Sequence, residues 1–400
     1  MFMSEATGQP LAKFWRLAGS PPQNDLDTLN KGKVLSQLGS ITWKLSQLRF
    51  DKIGSLFERD GSFDIKECLS RGHILHGRND LEIIPRGPFT SKAEFHDSLV
   101  SAFSEHAEIL NLSHHCFVAP VPSRGDYESC MQYRNAVNLW NDFVAIGCKT
   151  DSSDNRLDYR IIGDALRDIV PRLELPAENL ETFPLCHADL SVNNIYVDDD
   201  YNITCIMDWA FASSIPESML LVTPGLPQCR DEINPELRMP FKDGFIAAIP
   251  EFTEERIIHK YRKFLERDQL FWRLSRLLNF DSIDDYNLFS TVWHSVRGPE
   301  EDLGQYFLEQ RRSPNYTRLY EEVQKEDQPL SKIEKDERDY FRNKDLEKTI
   351  AKKLTLMSEW KIQYILNNPQ RLRKDSMFIA SPKLWKWIQQ FTEDWEGNNS

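Results

Sequence analysis

One stretch constrains this chain more than any other. Phe183-Pro184-Leu185-Cys186-His187-Ala188-Asp189-Leu190-Ser191-Val192-Asn193-Asn194-Ile195-Tyr196-Val197 runs from apolar residues through a polar loop into a short apolar strand. Asp198-Asp199-Asp200 then turns the chain, Ile203-Thr204-Cys205-Ile206-Met207 returns it, and Asp208-Trp209 stands at the exit. Two apolar runs around an acidic turn predict a β-hairpin. A tight return lays Asp208 beside Asn194, so Asp189, Asn194 and Asp208 are expected to share one mouth. The chain holds nine histidines. An Asp at +2 and an Asn at +7 from the same His arise by chance in only about 2% of chains of this kind. An ordinary capped turn with a solvated acidic tip is the bland alternative. The Asp at the hairpin exit counts against it.

That layout has a mechanical logic. Phosphoryl transfer needs few covalent participants. It needs an acceptor hydroxyl held in line and a metal to compensate the phosphate charge. Asp189 can accept the hydroxyl proton and aim the oxygen. Asn194 and Asp208 offer hard oxygen donors, which suit Mg²⁺. His187 is expected to brace the loop.

His187-Ala188-Asp189-Leu190-Ser191-Val192-Asn193-Asn194-Ile195 with Met207-Asp208-Trp209 resembles the aminoglycoside phosphotransferase and choline-kinase-like family of the protein-kinase-like superfold, its fungal members above all. The resemblance implies that Asp189 is the catalytic base, with His187 beside it in the same loop. It also implies that Asn194 and Asp208 hold Mg²⁺, and that ATP is the phosphoryl donor. Ala188 stands where the family usually has Gly, and Ala210 where an acidic residue often follows the Asp-Trp pair. The second departure removes one electrostatic contributor. The fold implied is α+β: the large, C-terminal lobe of a kinase-like fold, mainly helical with short β-hairpins.

A kinase-like fold also needs a small lobe with a glycine-rich loop and a strand lysine, both before the hinge that joins the lobes. Phe2-Met3-Ser4-Glu5-Ala6-Thr7-Gly8-Gln9-Pro10-Leu11 resembles that hinge. The match implies that the Ser4 carbonyl and the Ala6 N–H face adenine. The chain is then expected to begin at the hinge without the small lobe, and the resemblance covers roughly residues 2–300. Gly54-Ser55-Leu56-Phe57 lacks the spacing of a phosphate loop. Lys13, Lys31 and Lys33 follow the hinge instead of preceding it. Positioning supplies most of the rate in this chemistry, so turnover is expected to fall steeply without the missing lobe.

The rest of the sequence bounds partners and compartment. The 400 residues carry a formal net charge of −13, which argues against a nucleic-acid binder. Seven cysteines without zinc spacing point to free thiols in a reducing compartment. No membrane-length apolar run occurs, and the opening residues Met1–Gly8 are not expected to act as a signal peptide. The expected setting is the cytoplasm, away from membranes, with oligomeric state open.

Helical periodicity is expected over Val34–Leu48, Met131–Ile146 and Arg156–Val170, the last stopped by Pro171. Ser55-Leu56-Phe57 and Phe63-Asp64-Ile65 around Asp60-Gly61 predict another hairpin. Glu334–Lys353 is expected to be an exposed amphipathic helix, and Trp385, Trp387 and Trp395 to dock a final helix. Residues 1–310 are expected to form the kinase-like lobe, and 311–400 a helical extension packed on it. His114-His115-Cys116, Asp198-Asp199-Asp200 and Gln370-Arg371-Leu372-Arg373-Lys374 read as surface features. Glu217, Asp231 and Glu232 are candidates to meet an amine on the acceptor.

Three functions follow. The first is an ATP-dependent phosphotransferase acting on a hydroxyl of a small molecule, one that can carry an amine. The second is a non-catalytic kinase-like binding or scaffold protein. The third is a large lobe completed by a small lobe on a separate chain.

Overall fold

The computed structural model describes residues 6–15, 25–110, 112, 122–134, 136–137, 140, 151–176, 181–227, 232–282, 284–345, 347–348, 351, 355 and 358–365. Ser4, His114-His115-Cys116, Asp231, Gln370–Lys374, the three C-terminal tryptophans and most of 138–150 lie outside them. The fold is α+β, with helices predominating over two small antiparallel sheets. Two compact units are present. The first comprises Met1–Ile74, Ile83–Ser98 and Glu174–Ser275; the second comprises Leu75–Glu82, Leu99–Leu173 and Arg276–Ser400.

In the first unit, the helix Thr28–Ser46 starts where Asp27 accepts the Asn30 N–H at 2.8 Å, a side-chain cap on an otherwise orphaned donor. Val34, Leu35 and Leu38 recur at helical spacing and are fully buried in the unit's core. The helix Pro235–Ala247 packs on the same core through Leu237, Phe241 and Phe245. Glycine makes this pairing tight. A Cβ at Gly39 would lie 2.1 Å from the Phe241 carbonyl oxygen, and one at Gly244 would lie 2.0 Å from that of Ser36. Ser40 seals the crossing by donating its hydroxyl to the Gly244 carbonyl at 3.0 Å.

Both sheets belong to this unit. The larger has the order β2-β5-β8-β3-β4, with β2 Arg49–Phe50, β3 Gly54–Arg59, β4 Ser62–Lys66, β5 Phe183–Cys186 and β8 Ser213–Ser214. The β3–β4 hairpin falls where the sequence places it. Asp60 and Gly61 both have positive φ, 54° and 78°, as a twist-matched two-residue turn requires. The smaller sheet has the order β1-β6-β7, with β1 Gln9–Pro10, β6 Ile195–Val197 and β7 Ile203–Ile206. Gly8 leads into β1 with φ of 91°, and a Cβ there would lie 2.4 Å from the Val197 carbonyl oxygen. Only glycine fits that approach.

In the second unit, the helix Ser153–Leu173 is the organising element. It continues two residues past Pro171, where the sequence predicts a stop. A proline deletes one backbone donor, and in the last turn little helix is left for its ring to disrupt. Asn155 accepts the Trp360 N–H and donates to the Ser358 carbonyl, both at 2.8 Å, which fixes the helix Trp360–Ile365 against it. Arg311 spans Asp154 and Asp158, and rings of Phe307 and Tyr364 stack at 4.9 Å. The single helix expected over 334–353 is instead broken. Leu330–Tyr340 is helical, Phe341 turns inward and is buried with Ala351, and Asn343 has φ of 63°. Burial of one ring outweighs the propensity of a charged run to continue. Among the described residues, no helix is long and apolar enough to cross a membrane.

The glycine-mediated crossing is directly testable. Gly39→Ala forces a methyl into backbone, so it is expected to destabilise the first unit by about 1–3 kcal/mol. Urea unfolding, compared with Gly125→Ala, which meets open space, checks this. Equal midpoints for the two variants would contradict it.

Candidate functional site

The hairpin β6–β7 is built as the pattern of the sequence requires. Ile195 and Val197 point into the core and are fully buried. Because strand side chains alternate, Asn194 and Tyr196 fall on the opposite face. Ile195 pairs with Ile206 and Tyr196 with Cys205. The acidic tip is organised by Asp198, which accepts the N–H groups of Asp200 at 3.0 Å and Asn202 at 2.8 Å. The Asn202 amide also binds it at 2.9 Å, and these bonds hold its carboxyl below the usual carboxylate range. A structured turn accounts for this tip.

At the open end of the hairpin, Asn194 bonds Asp189, and Asp208 follows Met207 at the strand exit. The Met207 N–H donates to the Asn194 carbonyl at 2.8 Å, so the strand exit lies against the end of the loop. The Asn194 side-chain amide donates to the Asp189 carbonyl at 2.8 Å and approaches its carboxylate at 3.4 Å. With its nitrogen engaged on Asp189, the amide oxygen of Asn194 is the atom left to act as a ligand. The carboxylate of Asp208, the next residue, has no hydrogen-bond or ion-pair partner among the described residues. Its backbone has φ of 59°, in the left-handed region that non-glycine residues avoid. Such strain, of order 1–2 kcal/mol, persists only where surroundings enforce it. Both Asp189 and Asp208 are exposed to solvent.

His187 is the brace. It is buried, and its Nε2–H donates to the Met207 carbonyl at 2.8 Å. Its Nδ1 accepts the Asp189 N–H at 3.3 Å, which selects the Nε2–H tautomer of a neutral ring. The Trp209 ring meets the imidazole edge-on at 4.8 Å and is itself pinned by its indole N–H to the Ile206 carbonyl at 2.9 Å. Thus His187 touches both carboxylate-bearing segments without exposing a nitrogen to a substrate. Cys186, next to it, is half-buried, and desolvation pushes its thiol up to about 12. It is a neutral thiol at physiological pH.

The other sequence candidates separate from this cluster. Ala6 is described and partly exposed, and the next carbonyl, that of Thr7, accepts the Thr204 hydroxyl at 2.5 Å. The N-terminal segment therefore leads into β1 beside β6, and the Thr204 side chain of β7 reaches it. Glu217 is occupied by Arg49 and Lys260, and Glu232 pairs with Arg273 at 2.9 Å. Neither is free to receive an amine. Sequence reading overlooked the exposed apolar run Met207, Trp209 and Phe211, which flanks Asp208. Its alternation with Asp208 and Ala210 was the available signal.

Among the described residues, no three His, Cys, Asp or Glu side chains converge as a metal cage. One carboxylate, one amide oxygen and open solvent suit an ion that keeps several waters, as Mg²⁺ does. Set against family profiles, curated proteins and solved structures, the chain matches none of them.

The brace carries a prediction. His187→Ala leaves the Met207 carbonyl without the donor of a part-buried bond, which is expected to cost about 0.5–1.5 kcal/mol of unfolding free energy. His187→Gln, able to donate from a similar distance, is expected to recover part of it. Urea unfolding of both variants checks this. Stability unchanged in His187→Ala would show that the bond does not hold the loop.

Proposed function

We propose that this chain is a phosphotransferase-like protein of the aminoglycoside phosphotransferase and choline-kinase-like type, moving a phosphoryl group from ATP to a hydroxyl of a small molecule. The observation that carries the reading is the junction at the hairpin mouth: Asn194 bonded to Asp189, and Asp208 presented beside them on strained backbone. Asp189 is exposed at the end of a buried strand, where an acceptor hydroxyl can reach its carboxylate. It orients that hydroxyl and takes its proton as the oxygen attacks. Asn194 and Asp208 would hold Mg²⁺, which supplies charge compensation on the phosphates when bound. His187 acts through both neighbours, as a positioning residue. Tyr196 and Cys205 form a half-buried cross-strand pair on the hairpin, and the Ala6 N–H, just before the Thr7 carbonyl that accepts the Thr204 hydroxyl, is the donor the resemblance assigns to adenine.

The acceptor class follows from the surface around Asp208. Trp209 is 39% and Phe211 52% exposed, an aromatic rim that suits an organic cation or amino alcohol more than a free sugar acid. The same rim favours a second reading. A non-catalytic binding protein would also keep solvent-facing aromatics beside a nucleotide seat.

Nucleotide binding separates these. Calorimetry with ATP is expected to show Mg²⁺-dependent binding to the wild type, weakened about tenfold or more in Asp208→Asn. In Asp189→Asn, binding is expected to persist, while phosphoryl transfer to a panel of amino alcohols and amino sugars falls by about 10²–10⁴. Binding that ignores Asp208→Asn would remove the metal assignment. Full transfer by Asp189→Asn would remove the base. Mg²⁺-dependent binding with no transfer in the wild type would support the binding protein.

A further inference from the structure

Phe183 begins β5 at the end remote from His187, roughly 13 Å away at the rise of an extended strand. There it opens onto a cavity of about 590 Å³ whose lining comes entirely from the first unit. The helix Glu255–Glu266 forms one wall. On it Arg256, Lys260 and Lys263 recur at i, i+4 and i+7, the spacing of one helical stripe, and all three line the space. Arg49 from β2 and Lys92 from another segment complete a set of five cations.

Three lining carboxylates oppose them, Glu174, Glu181 and Glu217. Glu217 is saturated: Arg49 takes one oxygen and Lys260 the other, at 2.8 Å. Arg49 also donates to the Tyr261 hydroxyl at 3.1 Å, so its guanidinium is held in a fixed pose. Lys92 lies 3.6 Å from Glu174 and 3.5 Å from Glu181. Burial raises the pKa of Glu174, and the Ser218 hydroxyl donates to it at 2.5 Å. Lys263 has no ion pair among the described residues. The lining therefore carries more fixed positive than negative charge inside a concave space, where such an excess is felt more strongly than on open surface.

We propose that this cavity binds a small organic molecule through a compact, multiply charged oxyanion, at a site separate from the Asp189 cluster. The anion sits against Lys263 and Lys260, mobile point charges that suit phosphate or clustered carboxylates, while Arg49, engaged on Glu217, the Tyr261 hydroxyl and the Thr182 carbonyl, adds fixed positive charge to the lining. Pro216, Phe183 and Phe264 give the apolar wall for the rest of the molecule. The volume matches that of small-molecule sites. This inference stands independently of the phosphotransferase reading.

The test uses two probes, pyrophosphate and citrate, titrated calorimetrically into the full chain in EDTA, so that no metal contributes. Saturable one-to-one binding of at least one probe is expected, and which one binds distinguishes a phosphate from a carboxylate ligand. Lys263→Glu, an exposed position that preserves the fold, is expected to weaken it about tenfold or more. Lys52→Glu, exposed and outside the lining, serves as the control for general charge and is expected to leave affinity within about twofold. Binding of neither probe would overturn the proposal. So would equal weakening by the two charge reversals.

Discussion

The site depends on one half-buried hydrogen bond, from the Nε2–H of His187 to the carbonyl of Met207. It joins a loop before the hairpin to the strand exit after it. Without that link, Asp189 and Asp208 would be joined only through Asn194. With it, the imidazole fixes both, because its other nitrogen takes the Asp189 N–H and its ring edge meets Trp209. The backbone bond from Met207 to Asn194 then closes the triangle. The positive φ at Asp208 follows from the same geometry: a residue between a pinned carbonyl and a pinned indole has little freedom to relax.

This junction rests on the first unit's core. Ile195 and Val197 anchor the hairpin from beneath, in the same apolar cluster as Val34, Leu38, Phe241 and Phe245. That cluster is compact because Gly39 and Gly244 let two helices approach to backbone contact. Rigidity under the hairpin matters for the proposed chemistry, since phosphoryl transfer relies on positioning. A loop that wandered by an ångström would lose much of its advantage.

Local signals in the sequence were reliable where chemistry is local. Both hairpins lie where alternation and turn residues put them, since Asp60 and Gly61 take the positive φ their turn needs and Asp198 accepts the N–H groups of its own turn. The Asn194–Asp189 contact and the pairing of Met207 with Asn194 were legible for the same reason: a short hairpin fixes what lies across its mouth. Long-range effects were not legible. Nothing around Pro171 announces that a helix tolerates it in the last turn, and nothing in a charged run announces that Phe341 will turn inward. Glu217 read as a candidate amine contact because its cations, Arg49 and Lys260, lie far from it in sequence. The charged cavity was invisible for that reason, being assembled from five separate segments.

The central claim is that Asn194 and Asp208 form one divalent-metal seat beside Asp189. Mn²⁺, a spectroscopic stand-in for Mg²⁺, tests it most directly. Electron paramagnetic resonance of Mn²⁺ titrated into the wild type with ATP should reveal one nucleotide-dependent bound ion, lost in Asn194→Ala. An Asn194→Ala variant that binds Mn²⁺ as the wild type does, or a wild type that binds none, would contradict the account.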